Sequence, residues 1–380
     1  MRERVLQTFR FAATDSPPVD LMEGCVWPEL LDYFRRQHGC QDANAVLDLL
    51  DTDFRWAFVN YQGPQPPEAE QDAILRQAQD ACTGEDAALR QAQDAGAGED
   101  AALRQAQDTK VRSKAVMSGP GFSPPLAHAA TIQDIAAHPW PDPAWWQPGD
   151  YAAFAQAYPD HARVLCVGWS PLFWGACEAF GMDEALVKML REPALFDAYI
   201  QRQNEFYLDI LGRCVRAAEG HCDICWLGDD YASQQSLLMR PETWRARIKP
   251  ALAQQVRLAR EHGMYVLFHS CGSVRSILPD LIEIGVNALL VFQTTARGMD
   301  APSIARDFGG KMVFYGGMDV QHLLSFATPE EVAAAVQSNR RAFAECGGYI
   351  VANSHHTLPS IRGENILAMC RAARQEETIS

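Results

Sequence analysis

The chain has 380 residues, of which 48% are hydrophobic and 21% are charged, proportions that are typical of a globular domain. A formal net charge of −15 excludes the clustered basic surface that nucleic acids and anionic membranes require. The 11 cysteines lack regular spacing, which excludes a disulfide framework. No apolar run approaches the ~20 residues of a membrane span, and the amino terminus lacks the apolar core of a secretory signal. We therefore expect a cytoplasmic protein.

Apolar runs and helical patterns alternate along the chain. Eight runs predict buried strands, at residues 19–22, 54–59, 164–167, 223–227, 264–268, 288–292, 312–315 and 349–352. Helical spacing follows most of them and is clearest at residues 241–262, 274–284, 329–346 and 363–374. Eight strand and helix units are the number that closes a parallel barrel. The sequence therefore predicts an α/β fold, a single (β/α)8 TIM-like barrel over residues 1–380.

Residues 72–110 form a low-complexity repeat between two of the predicted strands. The copies DAILRQAQDACTGE, DAALRQAQDAGAGE and DAALRQAQDTK begin at Asp72, Asp86 and Asp100. Each copy has too few large apolar residues to bury a core, and glycine breaks interrupt any continuous coiled-coil seam. We interpret the repeat as a surface insertion within the barrel rather than as a coiled-coil tether.

The fifth predicted strand ends in the segment His269-Ser270-Cys271-Gly272. Side chains alternate along a strand, so an imidazole and a thiol two residues apart point to the same side. Both are ligands that suit zinc. The alternative is that Cys271 is a small buried hydrophobic residue and His269 an ordinary loop residue. Carboxylates and imidazoles at the ends of the other strands favour the zinc site, because the active site of such barrels lies at the carboxyl ends of the strands.

A catalytic zinc needs a third protein ligand and an open position. The sequence leaves the third ligand open among His355, His356, Cys25 and the pair Asp229 and Asp230. A rival site, Cys222 and Cys225 beside His221, lies at the opposite end of its strand, away from the catalytic face.

Other polar residues that follow the strands are candidates for chemistry and substrate binding. Asp229 and Asp230 are the candidate catalytic acid or base, or groups that orient a metal ligand, although an aspartate there could also stabilise the approach to a helix. The candidate substrate-binding residues are Glu23, Trp169, Gln293 and Asp319.

Several motifs from residue 139 onward resemble the uroporphyrinogen decarboxylase superfamily of barrels, which also contains zinc-dependent corrinoid methyltransferases. The motifs are GDDYASQQ with RPETW and IKP, HSCGSV, VFQTTARGMD, FGGKMVFYGGMD with Gln321, TPEEV, and GGYIVANSHHTLPSIRGENILAM. The decarboxylases have an early segment whose arginines bind the substrate's carboxylates. Here the matching segment, VDLMEGCVWPEL, contains a glutamate and no arginine. The resemblance is therefore closer to the methyltransferase branch.

The resemblance implies a metal site and a reaction. His269 and Cys271 match the first two zinc ligands of that branch, whose third ligand is a cysteine in the last loop. His355 stands at that place here, which makes it the preferred third ligand. The implied function is transfer of a methyl group between a corrinoid, carried by a partner protein, and a small thiol or methoxy compound. Uroporphyrinogen decarboxylation and a non-catalytic binding protein of the same fold are the alternatives. The sequence does not determine the oligomeric state, and a homodimer is one of the possible states.

Overall fold

The computed structural model describes residues 1–24, 26–63 and 124–374. The repeat at residues 72–110 and the candidate ligand Cys25 lie outside these residues. The chain divides into two compact units. One comprises Met1–Gln62, Trp140–Gly175 and Asp197–Ser380, and the other comprises Gly63–Pro139 and Ala176–Phe196. All the strands described below belong to the first unit.

A curved sheet of seven parallel strands confirms the predicted α/β barrel-like fold. Its strand order is β1-β4-β5-β6-β7-β8-β9. The strands are β1 (Phe54–Phe58), β4 (Ala162–Cys166), β5 (Ile224–Gly228), β6 (Tyr265–His269), β7 (Ala288–Phe292), β8 (Val313–Met318) and β9 (Tyr349–Asn353). Two short strands, β2 (Asn60–Tyr61) and β3 (Trp146–Gln147), pair antiparallel. Strands β4, β5, β7, β8 and β9 are buried along their whole length, which explains their continuous apolar runs.

The predicted first strand is shorter than its sequence pattern suggests. Only Val19 forms a bridge, to Val351 of β9, and the Val19 carbonyl accepts a hydrogen bond from the Asp53 N–H just before β1. This segment therefore lies between the two edge strands of the sheet. The prediction of a strand over residues 19–22 is wrong beyond this point, because the Met22 N–H bonds to the Asn353 side chain and Met22–Gly24 forms a 3-10 helix.

The helices lie before the first strand, between the strands and after the last one. They are Arg2–Phe9, Pro28–His38, Ala43–Leu49, Ile132–Ala137, Tyr151–Ala157, Phe173–Phe180, Met182–Arg191, Pro193–Ala218, Pro241–Arg247, Lys249–Glu261, Leu278–Glu283, Ala301–Phe308, Leu323–Phe326, Pro329–Phe343 and Gly363–Arg374. The helix predicted at residues 241–262 is divided at Ile248, just before Lys249 and Pro250, because a proline lacks the N–H and restricts the preceding residue. Within the described ranges, no helix is long and apolar enough to cross a membrane.

The barrel interior is a single cluster of buried side chains contributed by alternate positions of the strands. Two residues of the amino-terminal helix, Val5 and Phe9, belong to the same cluster. The Phe9 ring lies 4.8 Å from the ring of Tyr265, the first residue of β6. The amino-terminal helix therefore covers the end of the barrel at which the strands begin and leaves the carboxyl ends of the strands for the site described next.

Candidate metal centre

Strand β6 and the turn after it position His269 and Cys271. His269 is the last residue of β6, in register with Gly228 of β5 and Leu290 of β7, and its side chain is buried. Cys271 is half-buried. The backbone then turns at Gly272 with φ of +79°, where a Cβ atom would lie 2.4 Å from the Ser233 carbonyl oxygen. Only glycine fits there, so the local sequence defines the turn that orients the thiol.

The loop after β9 positions His355. The Ser354 N–H donates to the Met318 carbonyl oxygen at 2.8 Å, which continues the pairing with β8 past the end of the strand. The Asn353 side-chain amide donates to the His355 carbonyl oxygen, and its Oδ1 accepts the Met22 N–H at 2.9 Å. The two ends of the barrel sequence thus meet beside the histidine.

His269, Cys271 and His355 converge with the spacing of ligands on one metal ion. Each offers one ligand atom, and the three atoms lie within 4.8 Å of one another, the one such group of three or more among the described residues. Cys271 Sγ lies 3.6 Å from His269 Nε2. Tetrahedral zinc with Zn–S of ~2.3 Å and Zn–N of ~2.0–2.1 Å separates two such atoms by about 3.5 Å. The distance therefore fits zinc without rearrangement of this pair.

The protonation state of His355 also fits a metal ligand. Burial of its ring, and then repulsion from His356 and His269, lowers the pKa of His355 to about 3. The imidazole is therefore neutral at pH 7, with a nitrogen lone pair available for a metal. The His356 ring lies 5.2 Å from the His355 ring and is not part of the three-ligand group.

Asp230 lies beside the candidate ligands. Its Oδ1 accepts the Cys271 N–H at 2.7 Å and lies 3.8 Å from His269 Nε2. The carboxylate therefore holds the backbone that carries the thiol and places a negative charge next to the imidazole. A carboxylate in this place can orient a metal ligand or exchange a proton with a molecule bound at the metal.

Asp229, the other candidate acid or base, points away from the ligands. It is buried, and its two carboxyl oxygens accept the backbone N–H groups of Leu172, Phe173 and Trp174 at 2.7–2.9 Å. Burial raises the pKa of Asp229, and the three N–H donors oppose this shift. Asp229 thus stabilises the start of the helix Phe173–Phe180, and its catalytic role stays a prediction.

Two of the four predicted substrate-binding residues contact the site. The Trp169 ring lies edge-on to His269 at 5.7 Å, and a Cβ atom at Gly228 would lie 2.3 Å from the Trp169 ring. Gln293 Oε1 accepts the Gly272 N–H at 2.7 Å and thereby supports the turn after Cys271. Asp319 accepts N–H groups at the start of the helix Leu323–Phe326, and the Glu23 side chain lies outside the described part of the chain.

The rival cysteine pair is buried in the wall of the barrel. Cys222 and Cys225 are free thiols, and burial raises the pKa of Cys222 to about 12 and that of Cys225 further. Both thiols are therefore protonated at pH 7 and poor metal ligands.

Sequence reasoning missed the residues that lie beneath His269. The Trp226 ring is edge-on to His269 at 6.2 Å, and the Trp56 ring is edge-on to Trp226 at 6.2 Å. Trp56 Nε1 donates to the buried carboxyl of Asp20 at 3.0 Å. The signal was present in the sequence, because Asp20 is an acid within the predicted apolar strand at residues 19–22.

Comparisons with known proteins agree with this architecture. A family model described as uroporphyrinogen decarboxylase (URO-D) matches residues 173–376, which is more than half of the chain. No curated protein matches the sequence. Among solved structures, a methyltransferase from Methanosarcina mazei is similar with a TM-score of 0.57 and 15% identity over 98% of this chain and 97% of the other.

A D-psicose 3-epimerase from Clostridium cellulolyticum H10, solved with D-tagatose, has a TM-score of 0.32 and 12% identity over 64% of this chain and 81% of the other. A likeness of that size supports no further argument. The motifs, the parallel sheet and the family match agree, and the chain belongs to the uroporphyrinogen decarboxylase (URO-D) family.

Proposed function

We propose that this protein is a zinc-dependent methyltransferase that moves a methyl group between a corrinoid, carried by a partner protein, and a small thiol or methoxy compound. The observation that carries the proposal is the convergence of His269, Cys271 and His355 within ligand distance at the carboxyl ends of the strands. The fold shared with the Methanosarcina mazei methyltransferase supports the same class of reaction.

The ligand set suits a metal that acts as a Lewis acid. Zinc at these three residues would lower the pKa of a thiol or polarise the ether oxygen of a methoxy compound. Two neutral imidazoles and one thiolate would donate less negative charge to zinc than two thiolates and one imidazole would. Zinc held by the first set would therefore be the stronger Lewis acid.

The protein's own residues would bind and orient the substrate. The half-buried rings of Trp169 and Trp174 lie 6.2 Å apart, and Trp169 flanks His269, so aromatic surface lies beside the candidate metal site. Asp230 accepts the Cys271 N–H, and in this proposal it would take a proton from a thiol substrate or give one to a departing alkoxide.

The primary experiment combines metal analysis with methyl transfer. Elemental analysis of the purified wild type should find one zinc per chain, and His269→Ala, Cys271→Ala and His355→Ala should lose it. His356→Ala is the matched control and should keep zinc. Wild type should also change the visible spectrum of methylcobalamin when a thiol is added from a panel, or that of the demethylated corrinoid when a methoxy compound is added. A well-folded wild type without zinc contradicts the proposal, and zinc lost only from His356→Ala moves the ligand by one residue.

The second candidate is uroporphyrinogen decarboxylation, which the description of the matched family favours. The segment that matches the family's arginine-rich motif contains Glu23 and no arginine, and a glutamate repels a polycarboxylate substrate. We therefore expect no coproporphyrinogen from uroporphyrinogen above the buffer rate, and its formation by purified protein would replace the first candidate with the second.

We further propose that the protein works in the cytoplasm. None of the nine cysteines of the described residues forms a disulfide bond, as expected in a reducing compartment. The nine do not include Cys25 and Cys82, which lie outside those residues.

A further inference from the structure

Asp20 is a fully buried carboxyl group inside the barrel. Its Oδ2 accepts two hydrogen bonds, from the Tyr315 hydroxyl at 2.6 Å and from Trp56 Nε1 at 3.0 Å. Its Oδ1 is buried and has no hydrogen-bond partner among the described residues. A buried charge without partners is costly, so this arrangement raises the question of which protonation state Asp20 adopts.

The hydrogen-bond pattern is that of a neutral acid. A carboxylate distributes its charge over two oxygens, and both require donors when they are buried. Here both donors contact one oxygen, as they would the carbonyl oxygen of a carboxylic acid. Burial raises the pKa of Asp20 to about 7, and the bonds from Tyr315 and Trp56, the charge of Arg55 and the backbone N–H of Leu21 oppose the shift without overcoming it.

Among the described residues, no cationic group bonds to Asp20, and the charge of Arg55 compensates a negative charge there only in part. Arg55 of β1 directs its guanidinium to Asp48, Thr52 and the Phe54 carbonyl oxygen. Asp53, which accepts the Val19 N–H, is itself an acid. On the last helix, burial raises the pKa of Cys370 to about 12, so that its thiol is neutral at pH 7. On β8 the facing group is the Tyr315 hydroxyl, which donates to Asp20.

A chain of ring contacts connects Asp20 with the candidate metal centre. The Trp56 indole bonds to Asp20 and packs edge-on against Trp226, and Trp226 packs edge-on against His269. Trp56 and Trp226 are 7% and 6% exposed and belong to the buried core cluster, and Tyr315 is fully buried. A group that fixes the Trp56 indole therefore also restrains Trp226, the ring against which the His269 imidazole packs.

We propose that Asp20 is a neutral carboxylic acid in the folded protein and a positioning residue, which holds Trp56 and, through Trp56 and Trp226, supports the His269 imidazole. The protonation state of Asp20 is independent of the proposed function, whereas the positioning role rests on zinc binding at His269.

The first test is the pH dependence of folding in Asp20→Asn. The amide keeps a carbonyl oxygen for Trp56 and Tyr315 but cannot ionise. Because the folded pKa of Asp20 lies above its unfolded value, wild type loses stability as the pH rises from about 4 to about 7. The folding equilibrium constant of Asp20→Asn should therefore rise relative to wild type by about tenfold per pH unit in that window and level off above it. A difference that falls with rising pH, or does not change, overturns the neutral state.

Asp53→Asn is the matched control, because Asp53 is equally buried but contacts Arg4 and Arg374, both at 2.7 Å. It should be less stable than wild type at pH 7 and should lack the gain expected for Asp20→Asn. Infrared difference spectra provide a second readout that does not need denaturation. Wild type and Trp56→Phe should show a carboxylic acid C=O band at pH 6 that Asp20→Asn lacks, and absence of the band from both overturns the proposal.

The positioning role is tested by zinc affinity, measured with a competing chelator. Asp20→Ala removes both acceptor bonds and should weaken zinc binding by up to about tenfold, the lower end of the effect of groups that orient metal ligands. Asp20→Asn should restore the wild-type affinity. Equal affinity of Asp20→Ala and wild type overturns the positioning role. Absence of zinc from every variant and from wild type contradicts the proposed function instead, and the pH test of Asp20 still stands.

Discussion

Buried aspartates occupy both ends of the barrel, but their partners differ. At the end where the strands begin, Asp53 and Asp223 each contact two arginines. Asp53 bonds to Arg4 and Arg374, as described above, and Asp223 bonds to Arg2 at 2.7 Å with Arg163 at 3.5 Å. Arg2 and Arg4 belong to the first helix and Arg374 to the last, so these ion pairs fasten both terminal helices to the barrel.

Toward the carboxyl ends of the strands, the aspartates meet no arginine. Asp229 accepts backbone N–H groups, Asp20 accepts an indole and a phenol, and Asp230 accepts one N–H beside His269. Burial alone therefore does not determine the role of an aspartate. An aspartate with cationic partners forms a structural ion pair. An aspartate with neutral donors keeps a carboxyl group whose protonation or charge can act on the candidate metal site.

The largest effect should come from the ion-paired end. Asp53→Ala leaves two guanidinium groups, each 19% exposed, without their buried carboxylate, and the loss of one partner of a buried pair costs about 3–5 kcal/mol. Urea unfolding at pH 7 measures this loss. Asp15→Ala is the control, because Asp15 also contacts Arg4 but is 74% exposed and should cost less than about 1 kcal/mol. Equal losses from the two variants would remove the distinction between buried and surface ion pairs here.

A smaller loss is expected for Asp229→Asn. The amide retains one acceptor oxygen but directs an NH2 group at a backbone N–H, and a buried donor without an acceptor costs about 1–3 kcal/mol. Thermal unfolding measures the loss. Zinc content should remain at the wild-type level, since the Asp229 carboxyl accepts backbone N–H groups of residues 172–174, and the bond of Asp229 to His269 is made by its backbone N–H, which the substitution keeps. Loss of zinc without loss of stability would instead support the catalytic role that the sequence predicts for this residue.

Asp230→Asn should act on the metal rather than on the fold. The amide oxygen can still accept the Cys271 N–H, but the negative charge beside His269 Nε2 is lost. Zinc affinity should fall by about 10–100-fold, the usual effect of removing a group that orients a metal ligand, with the melting temperature nearly unchanged. Glu219→Gln is a matched control for charge, because Glu219 contacts the remote His262. A fall in affinity of the same size in this control would assign the effect to net charge alone.

The smallest effect should come from deletion of residues 72–108, the low-complexity repeat. The repeat has too few apolar residues to contribute to a core, and a long loop adds little closure entropy. Melting temperature and zinc content should remain close to the wild-type values. Insoluble protein after the deletion would show that the repeat is a structural element.

Much of the fold was predictable from local patterns. Buried parallel strands are continuous apolar runs, so residues 288–292 were identified with the bounds that the structure has. The predicted strand at 19–22 ends early because the Met22 N–H bonds to the Asn353 side chain, 331 residues away in sequence. The prediction of one long helix at 241–262 overlooked Pro250. A proline restricts the residue before it, and this local effect is predictable from the sequence.

The sequence by itself predicted that His269 and Cys271 point to one side, from the alternation of side chains along a strand, although β6 ends at His269 and Cys271 lies in the turn after it. It also placed His355 in the loop after the last strand, though only the family resemblance preferred it to His356. The tertiary structure alone decided that the His355 ligand atom lies within 4.8 Å of the other two, that three backbone N–H groups bond to Asp229, and that the side chains bonded to Asp20 are an indole and a phenol. Those outcomes depend on which distant side chains closure of the barrel brings together, and a periodic pattern carries no record of distant partners.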